Sequence, residues 1–157
     1  MEIKEICVRY ANGERDFCGI CLHAADLSET NLSHTDLSGA DLSSADLSGA
    51  NLMGANLSRA NLTNADLSDA DLRSADLSNV NLIGADLTGA KLGRANLSRA
   101  DLRGAILVNA DLIGAVLNGV EMSGAILEGA NFNEAELRQS ANFRDVTHRW
   151  ISWSGSH

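Results

Sequence analysis

Leucine recurs every five residues along most of this chain, and this period constrains the fold more than any other feature. With each central apolar residue numbered i, the centres run from Phe17 to Leu137 as 25 units without an insertion, and 22 of them are Leu. Position i−2 is Ala in 19 units, and position i−1 is Asp or Asn in 18. A repeat of this length must be explained before any local motif.

Neither a helix nor a continuous strand accommodates this period. In an α-helix, five steps of about 100° rotate successive leucines by about 140°, so no helix face collects them. In a continuous strand, an odd period sends alternate leucines to opposite faces. The pattern is satisfied if residues i−2 to i are extended, with Ala and Leu inward, while i+1 and i+2 turn a corner. Ser, Gly, Asn and Asp suit such bends, and the absence of Pro leaves every N–H available to a neighbouring coil.

Units of the form A(D/N)LxX, as in the segment from Gly49 to Leu67, resemble the tandem repeats of pentapeptide-repeat proteins over at least 125 of the 157 residues. The resemblance implies an all-β fold, a right-handed quadrilateral parallel β-helix with four units per coil. About six coils are then expected, and at about 4.8 Å per coil the rod is about 30 Å long. Positions i−2 and i would point inward, which makes the leucines a core ladder that includes Leu52, Leu57, Leu62, Leu67 and Leu72.

Residues 1–13 are predicted to form an N-terminal capping helix, followed by the β-helix over 14–139 and a C-terminal cap or tail over 140–157. The predicted helix has an apolar stripe and ends at Asn12-Gly13, so it should cover the first coil. The stripe consists of Ile3, Ile6, Cys7 and Tyr10. This arrangement resembles short helix-capped members of the family that are common in photosynthetic bacteria, and whose roles are mostly unassigned.

The two ends of the chain also suggest where it acts. Both tryptophans, Trp150 and Trp153, lie in the C-terminal segment, which either caps the rod or forms a homodimer contact. The N-terminus lacks a signal-like apolar core, and no apolar run approaches the roughly 18 residues that span a bilayer, so the cytoplasm is expected. Three cysteines do not make a disulfide framework.

The formal net charge of −9 argues against nucleic-acid and anionic-membrane binding. Since residues 20 apart should stack, one outer column reads Asp26, Asp46, Asp66 and Asp86, here called the acidic column, and continues with Ile106 and Ile126. Residues 15–89 carry 11 acidic and 3 basic side chains, whereas residues 90–139 carry 6 and 5. A solvated face explains the acidic column. The alternative is a DNA mimic that inhibits a DNA-binding enzyme, as proposed for family members that occupy the DNA site of gyrase.

Two observations weigh against the DNA mimic. B-DNA carries one charge per about 1.7 Å, and this repeat reaches about half that density. The unbroken repeat also has no projecting loop.

Five β-branched residues occupy outer positions that are polar elsewhere in the repeat, which predicts a surface for a protein partner or a dimer if they cluster. They are Ile106, Val108, Ile113, Val116 and Ile126. The alternative is that such residues merely favour extended backbone.

A zinc site formed by Cys18, Cys21, His23 and Cys7 has suitable C-x2-C spacing. We favour no metal, because the repeat already explains the turn and Cys7 suits a small apolar position in the cap. No cofactor is expected. Catalysis is not supported, because a filled interior and a flat exterior leave no concave site. The sequence therefore predicts a non-catalytic scaffold that binds an unknown protein partner.

Overall fold

A computed structural model describes residues 2–133 and Leu137. Helix α1 spans Ile3–Ala11 and is followed by a turn at residues 12–13. From Asp16 to Asn131 the chain repeats a single bridge residue and a two-residue turn every five positions. The predicted C-terminal cap or tail, with Trp150 and Trp153, lies outside the described residues.

Parallel bridges join each residue at position i−1 to the residue 20 positions later. The first bridge is Asp16–Asp36 and the last is Asp111–Asn131. A coil therefore contains four units, and each unit contributes one face to a column. We number the faces by their first residue: Asp16 begins the first face, Cys21 the second, Asp26 the third and Asn31 the fourth.

Each corner of the coil is a four-residue turn that begins at the central apolar residue. The N–H of Ala50 donates to the carbonyl of Leu47 at 3.0 Å, and the same bond recurs along the rod. Position i+2 has a positive φ in every unit from residue 19 to residue 129, as the third position of a type II turn requires. Many of these positions are glycine, but Asn64 and Arg59 adopt the same conformation at φ of 57° and 59°.

The interior consists of two kinds of side chain. The central residues from Phe17 to Phe132 are at most 2% exposed, and so are the i−2 residues from Thr35 to Ala130. Leu52, Leu62 and Leu72 are all fully buried. Burying one leucine stabilises a fold by about 1.5–3 kcal/mol, so the ladder contributes most of the hydrophobic free energy.

Where position i−1 is Asp or Asn, all five backbone N–H groups of an interior unit can find acceptors, as the unit 65–69 illustrates. Two donate to the following coil, one to the preceding coil, one across the turn, and one to the side chain at i−1. The five bonds are Leu67 to the Asp86 carbonyl (2.7 Å), Asp69 to the Thr88 carbonyl (2.9 Å), Asp66 to the Ala45 carbonyl (2.9 Å), Ala65 to the Leu62 carbonyl (3.0 Å), and Ser68 to Asp66 Oδ1 (2.9 Å). The Asp or Asn at i−1 therefore completes the hydrogen bonding of its own turn.

α1 packs on the open end of the first coil through a narrower stripe than the sequence predicts. Ile6 is buried, and Ile3 and Tyr10 are half-buried against the core. Cys7, predicted to be an apolar cap residue, is exposed, so that prediction was wrong. At about 100° per residue the other three lie within an arc of about 60°, and Cys7 falls outside it.

Polar contacts fix α1 to two of the four faces. The Tyr10 hydroxyl donates to the carbonyl of Ser33 at 3.2 Å, at the end of the fourth face. The guanidinium of Arg15 lies 3.6 Å from the centroid of the Tyr10 ring and donates to the Tyr10 carbonyl at 2.8 Å. Arg9 lies 5.0 Å above the Phe17 ring, on the first face.

Candidate interaction surfaces

The acidic column lies on the third face, where bridges join Asp26, Asp46, Asp66 and Asp86 in sequence. In each, Oδ1 accepts both the N–H and the hydroxyl of the residue two positions later. In Asp46 these bonds from Ser48 measure 3.0 and 2.6 Å. Within the described part of the chain, the Oδ2 atoms of these four residues accept no hydrogen bond. One oxygen of each carboxylate therefore serves the turn, and the other remains available to a ligand.

Hydrogen bonds from the turn lower the pKa of two outer carboxylates, Asp26 and Asp41. The Ser28 hydroxyl, followed by the Ser28 N–H, lowers the pKa of Asp26 from its ordinary value, against a small opposing effect of burial. The Ser43 hydroxyl and N–H lower the pKa of Asp41 on the second face in the same way. Asp26 and Asp41 are thus charged well below neutral pH.

Other faces lose part of their charge to ion pairs. Arg73 binds Asp71 on the fourth face at 2.6 Å, and Arg103 binds Asp101 on the second face at 2.7 Å. These contacts hold the pKa of both Asp71 and Asp101 below its usual range, with the arginine hydrogen bonds as the main cause.

The corner after the third face adds acidic groups instead. The side chains of Glu29 and Asp69 lie over the glycines one coil further on, Gly49 and Gly89, where a Cβ atom would collide with them. Up to residue 133, neither the third-face column nor this corner contains Lys or Arg. Negative charge therefore concentrates along one edge of the rod.

The five β-branched candidates fall into two groups on different sides of the coil. Ile106 and Ile126 pair on the third face directly below the acidic column, and Val108 occupies the corner beside them. Val116 belongs to the first face, on the opposite side, and Ile113 lies at the corner that precedes it. Ile126, Ile113 and Val116 are 40%, 41% and 41% exposed, whereas Ile106 and Val108 are half-buried.

Each apolar residue at position i−1 also removes a turn-closing acceptor. Every Asp and Asn at i−1 from Asp16 to Asp111 accepts the N–H two positions later, as Ile113 to Asp111 Oδ1 shows at 3.1 Å. Ile106, Val116 and Ile126 offer no such oxygen. Sequence reasoning placed Asp and Asn outward but missed this specific bond, although the regular alternation of Asp or Asn with Ser or Thr two positions later was its signal.

Cysteine and histidine side chains near α1 are separate and exposed. Cys18 Sγ accepts a hydrogen bond from Ser38 Oγ at 3.4 Å, and His23 Nδ1 lies 2.8 Å from Ser43 Oγ. Cys21 is a free thiol on the second face. Over residues 2–133 with Leu137, no three His, Cys, Asp or Glu side chains form a group that could hold a metal ion.

An open recess of about 790 Å³ lies between the start of α1 and the second and third faces of the first coil. Its floor is apolar and its rim carries charges of both signs. The lining residues are Glu2, Ile3, Lys4, Cys21, Leu22, His23, Ala25 and Asp26.

Comparisons with known proteins agree with the repeat architecture. A family model described as pentapeptide repeats (eight copies) matches residues 20–59, 55–94, 95–133 and 105–147. No match was found among curated protein sequences. Pentapeptide repeat proteins adopt a right-handed quadrilateral β-helix, in keeping with the 20-residue spacing of the bridges. In the described part of the chain, no helix has both the length and the apolar character to cross a bilayer.

Solved structures give the same result. A pentapeptide repeat protein from Nostoc PCC 7120 is 40% identical with a TM-score of 0.63, and the match covers 78% of this chain and 96% of that one. One from the thylakoid lumen of Arabidopsis thaliana is 32% identical with a TM-score of 0.58, covering 71% and 74%. QnrB1, a plasmid-mediated fluoroquinolone resistance protein, is 17% identical with a TM-score of 0.52, covering 89% and 94%. At that identity, the likeness to QnrB1 shows the fold alone.

Proposed function

The chain belongs to the pentapeptide repeat family, and from this premise we propose that it is a non-catalytic scaffold that binds a protein partner. The scaffold is a rod of about six coils, and the partner docks on the apolar end of the third face. The proposed contact residues there are Ile106, Val108 and Ile126. Ile113 and Val116 form a second, smaller candidate contact on the other side of the rod.

One observation carries this proposal: the apolar residues stand where the fold itself favours Asp or Asn. Ile106 and Ile126 each give up a turn-closing hydrogen bond, which is worth about 1 kcal/mol. They also expose apolar surface that the core does not need, because the leucines beneath them, Leu107 and Leu127, are already fully buried. Residues that go against the local preference of the fold are typical of functional surfaces.

The acidic column indicates the charge of the surface on the proposed partner. Four carboxylates with free Oδ2 atoms lead along the third face to the apolar pair, with no basic residue on that column or the corner after it up to residue 133. Charge of one sign along an edge accelerates the encounter with a surface of opposite charge and contributes less to final affinity. The partner surface is therefore basic beside an apolar centre.

The test compares matched double variants in an affinity capture from the native cell. If the third face is the contact, the double variant Ile106→Asp with Ile126→Asp should fail to capture the partner. Ile113→Asp with Val116→Asp is the comparison variant, because it places the same charges at the second candidate contact, on the other side of the rod. Capture of the same partner by all three proteins would remove this contact from the proposal. Sedimentation of the same variants tests a homodimer, including one through the C-terminal end.

A DNA mimic that inhibits an enzyme such as DNA gyrase remains the alternative, and the spacing of the acidic column is the observation relevant to it. Paired coils set carboxylates about 4.8 Å apart, against 3.4 Å for phosphates along one DNA strand. Ion pairs also neutralise Asp71 and Asp101 on neighbouring faces. A supercoiling assay tests this alternative. The absence of inhibition at roughly 10 μM of this protein, about ten times a micromolar Kd, would exclude the DNA mimic.

A cytoplasmic location stays a prediction. One structural relative comes from a thylakoid lumen, which describes that protein only. Fractionation of the native cell with an antibody to this chain tests the prediction.

A further inference from the structure

Among the described residues, the backbone N–H and C=O groups at position i−1 of the first coil have no hydrogen-bond partner on any of its four faces. In later coils the N–H at position i−1 donates to the preceding coil, as Asp46 does to the Ala25 carbonyl at 2.9 Å. The carbonyl at i−1 accepts from the preceding coil, as that of Asp46 does from Leu27 at 2.7 Å. No coil precedes Cys21 and Asp26, and among the described residues neither their N–H nor their C=O groups have a hydrogen-bond partner.

α1 covers only the other half of this edge. Its side-chain contacts reach the first face at Phe17 and the fourth face at Ser33. Over the second and third faces lies the 790 Å³ recess instead. Ala25, which lines the recess, is only partly buried, although the same repeat position is at most 2% exposed from Thr35 to Ala130.

The unpaired groups specify the geometry of what fits there. A chain that continued the coil would donate an N–H at its position i to the carbonyls of Cys21 and Asp26. Its carbonyl at i−2 would accept their N–H groups. Its i−2 and i side chains would point into the recess against Ile3 and Leu22, while the residue between them would point outward. Only an extended peptide backbone meets these requirements, which is β-strand addition to an exposed edge.

We infer that the uncovered edge at Cys21 and Asp26 binds an extended peptide segment of a partner protein, with small and large apolar residues inward and basic residues outward. The basic character follows from charge complementarity. The chain carries a net charge of −9, and the rim of the recess carries two carboxylates, Asp26 and Glu2, against the single Lys4. A second copy of the chain would bring like charge instead. The site is separate from the apolar end of the third face, so either proposal can fail without the other.

The probe is a synthetic decapeptide, acetyl-Lys-Ala-Lys-Leu-Ser-Gly-Ala-Lys-Leu-Lys-amide, titrated into the isotope-labelled full chain and followed by backbone NMR. The expected result is saturable shifts of the Cys21 and Asp26 amides. N-methylation of the two leucines removes the donors to the edge and should weaken binding about tenfold or more. N-methylation of the lysines that precede them is the matched control, because those N–H groups would face away from the edge. It should change the Kd less than about threefold.

A pair of protein variants locates the site independently. Ala25→Leu fills the recess with apolar volume and should weaken the decapeptide about tenfold. Ala24→Leu, one residue earlier and exposed, should leave its affinity unchanged. Thermal melting confirms that both variants are folded.

Several outcomes overturn the inference. They are no shift at about 1 mM peptide, equal affinities of the two N-methylated peptides, and shifts confined to Asp46, Asp66 and Asp86. Dimerisation of the chain alone that Ala25→Leu abolishes would assign the edge to a second copy, and it would also overturn the inference.

Discussion

The two ends of the rod share one interior but differ in their outer columns. Between residues 16 and 89 every i−1 residue except Cys21 is Asp or Asn, and each accepts the N–H of its own turn. Between residues 90 and 133 this position includes Ile106, Val116 and Ile126, whose side chains accept no hydrogen bond. The burial of the core is the same beneath both regions, since Leu67 and Leu107 are both fully buried. The interior therefore sets the fold, and the outer column is free to vary at the cost of one hydrogen bond per unit.

The largest effect should come from the shared interior, equally in both regions. Leu72→Asp and Leu107→Asp each bury a carboxylate among apolar side chains and should destabilise the protein by more than about 4 kcal/mol. Thermal melting by circular dichroism measures the effect. Ser74→Asp, on the exposed corner two residues from Leu72, is the control and should melt like the parent. A parent-like melting temperature for Leu72→Asp would mean that the ladder is absent.

Acid should weaken the N-terminal region more than the C-terminal one. The pKa values of Asp26 and Asp41 in the folded protein lie below the ordinary value of an aspartate. Their stabilisation is therefore complete above the unfolded pKa and is lost as pH falls through the folded pKa. The melting temperature should stay constant down to about pH 5 and decline below about pH 4. Asp26→Asn with Asp41→Asn should reduce this decline. A melting temperature that rises from pH 5 to pH 3 would show that repulsion within the column outweighs the turn hydrogen bonds.

A substitution in a single turn should show how much its side-chain acceptor contributes to stability. Asp66→Ala removes the bonds from the Ser68 N–H (2.9 Å) and hydroxyl (2.6 Å), and should cost about 1 kcal/mol, or about 2–4 °C in melting temperature. Asp66→Asn keeps Oδ1 and removes the charge, so it should lie within about 1 °C of the parent. Equal losses for Ala and Asn would show that the charge matters, and not the acceptor.

The smallest effect should be a gain in the C-terminal region. Ile106→Asn supplies an acceptor for the Val108 N–H, which has none among the described residues. A stabilisation of up to about 1 kcal/mol relative to Ile106→Ala is expected. Chemical denaturation of the two variants measures the difference. Identical midpoints would mean that the extended backbone at Val108 needs no side-chain acceptor.

The repeat architecture could be read from the sequence because its period excludes helix and strand and its inward positions are uniform. The stacking of residues 20 apart, which the resemblance to pentapeptide-repeat proteins implied, agrees with the bridges from Asp16 to Asn131. The helix was also predicted, but the exposure of Cys7 was not. Helical spacing defines the apolar stripe of α1, but it does not define how much of that stripe the first coil covers. The hydrogen bond of each i−1 side chain was not predicted, because it depends on the geometry of the turn, and residue types alone do not define that geometry.

The surfaces were harder to predict than the core. Five β-branched residues looked like one set in the sequence, whereas the coil separates Ile106 and Ile126 from Val116 by placing them on opposite faces. The recess beside α1 left no sequence signal at all, because it arises from how much of the first coil a nine-residue helix can cover.

The most direct measurement replaces the whole acidic column at once and compares two melting temperatures. Asn at positions 26, 46, 66 and 86 keeps the four Oδ1 acceptors and removes four charges, whereas Ala at the same positions removes both. If these residues serve the turns first, the Asn protein melts at or above the parent temperature and the Ala protein melts about 8 °C or more below it. An Asn protein that melts as low as the Ala protein would contradict this view of the outer column.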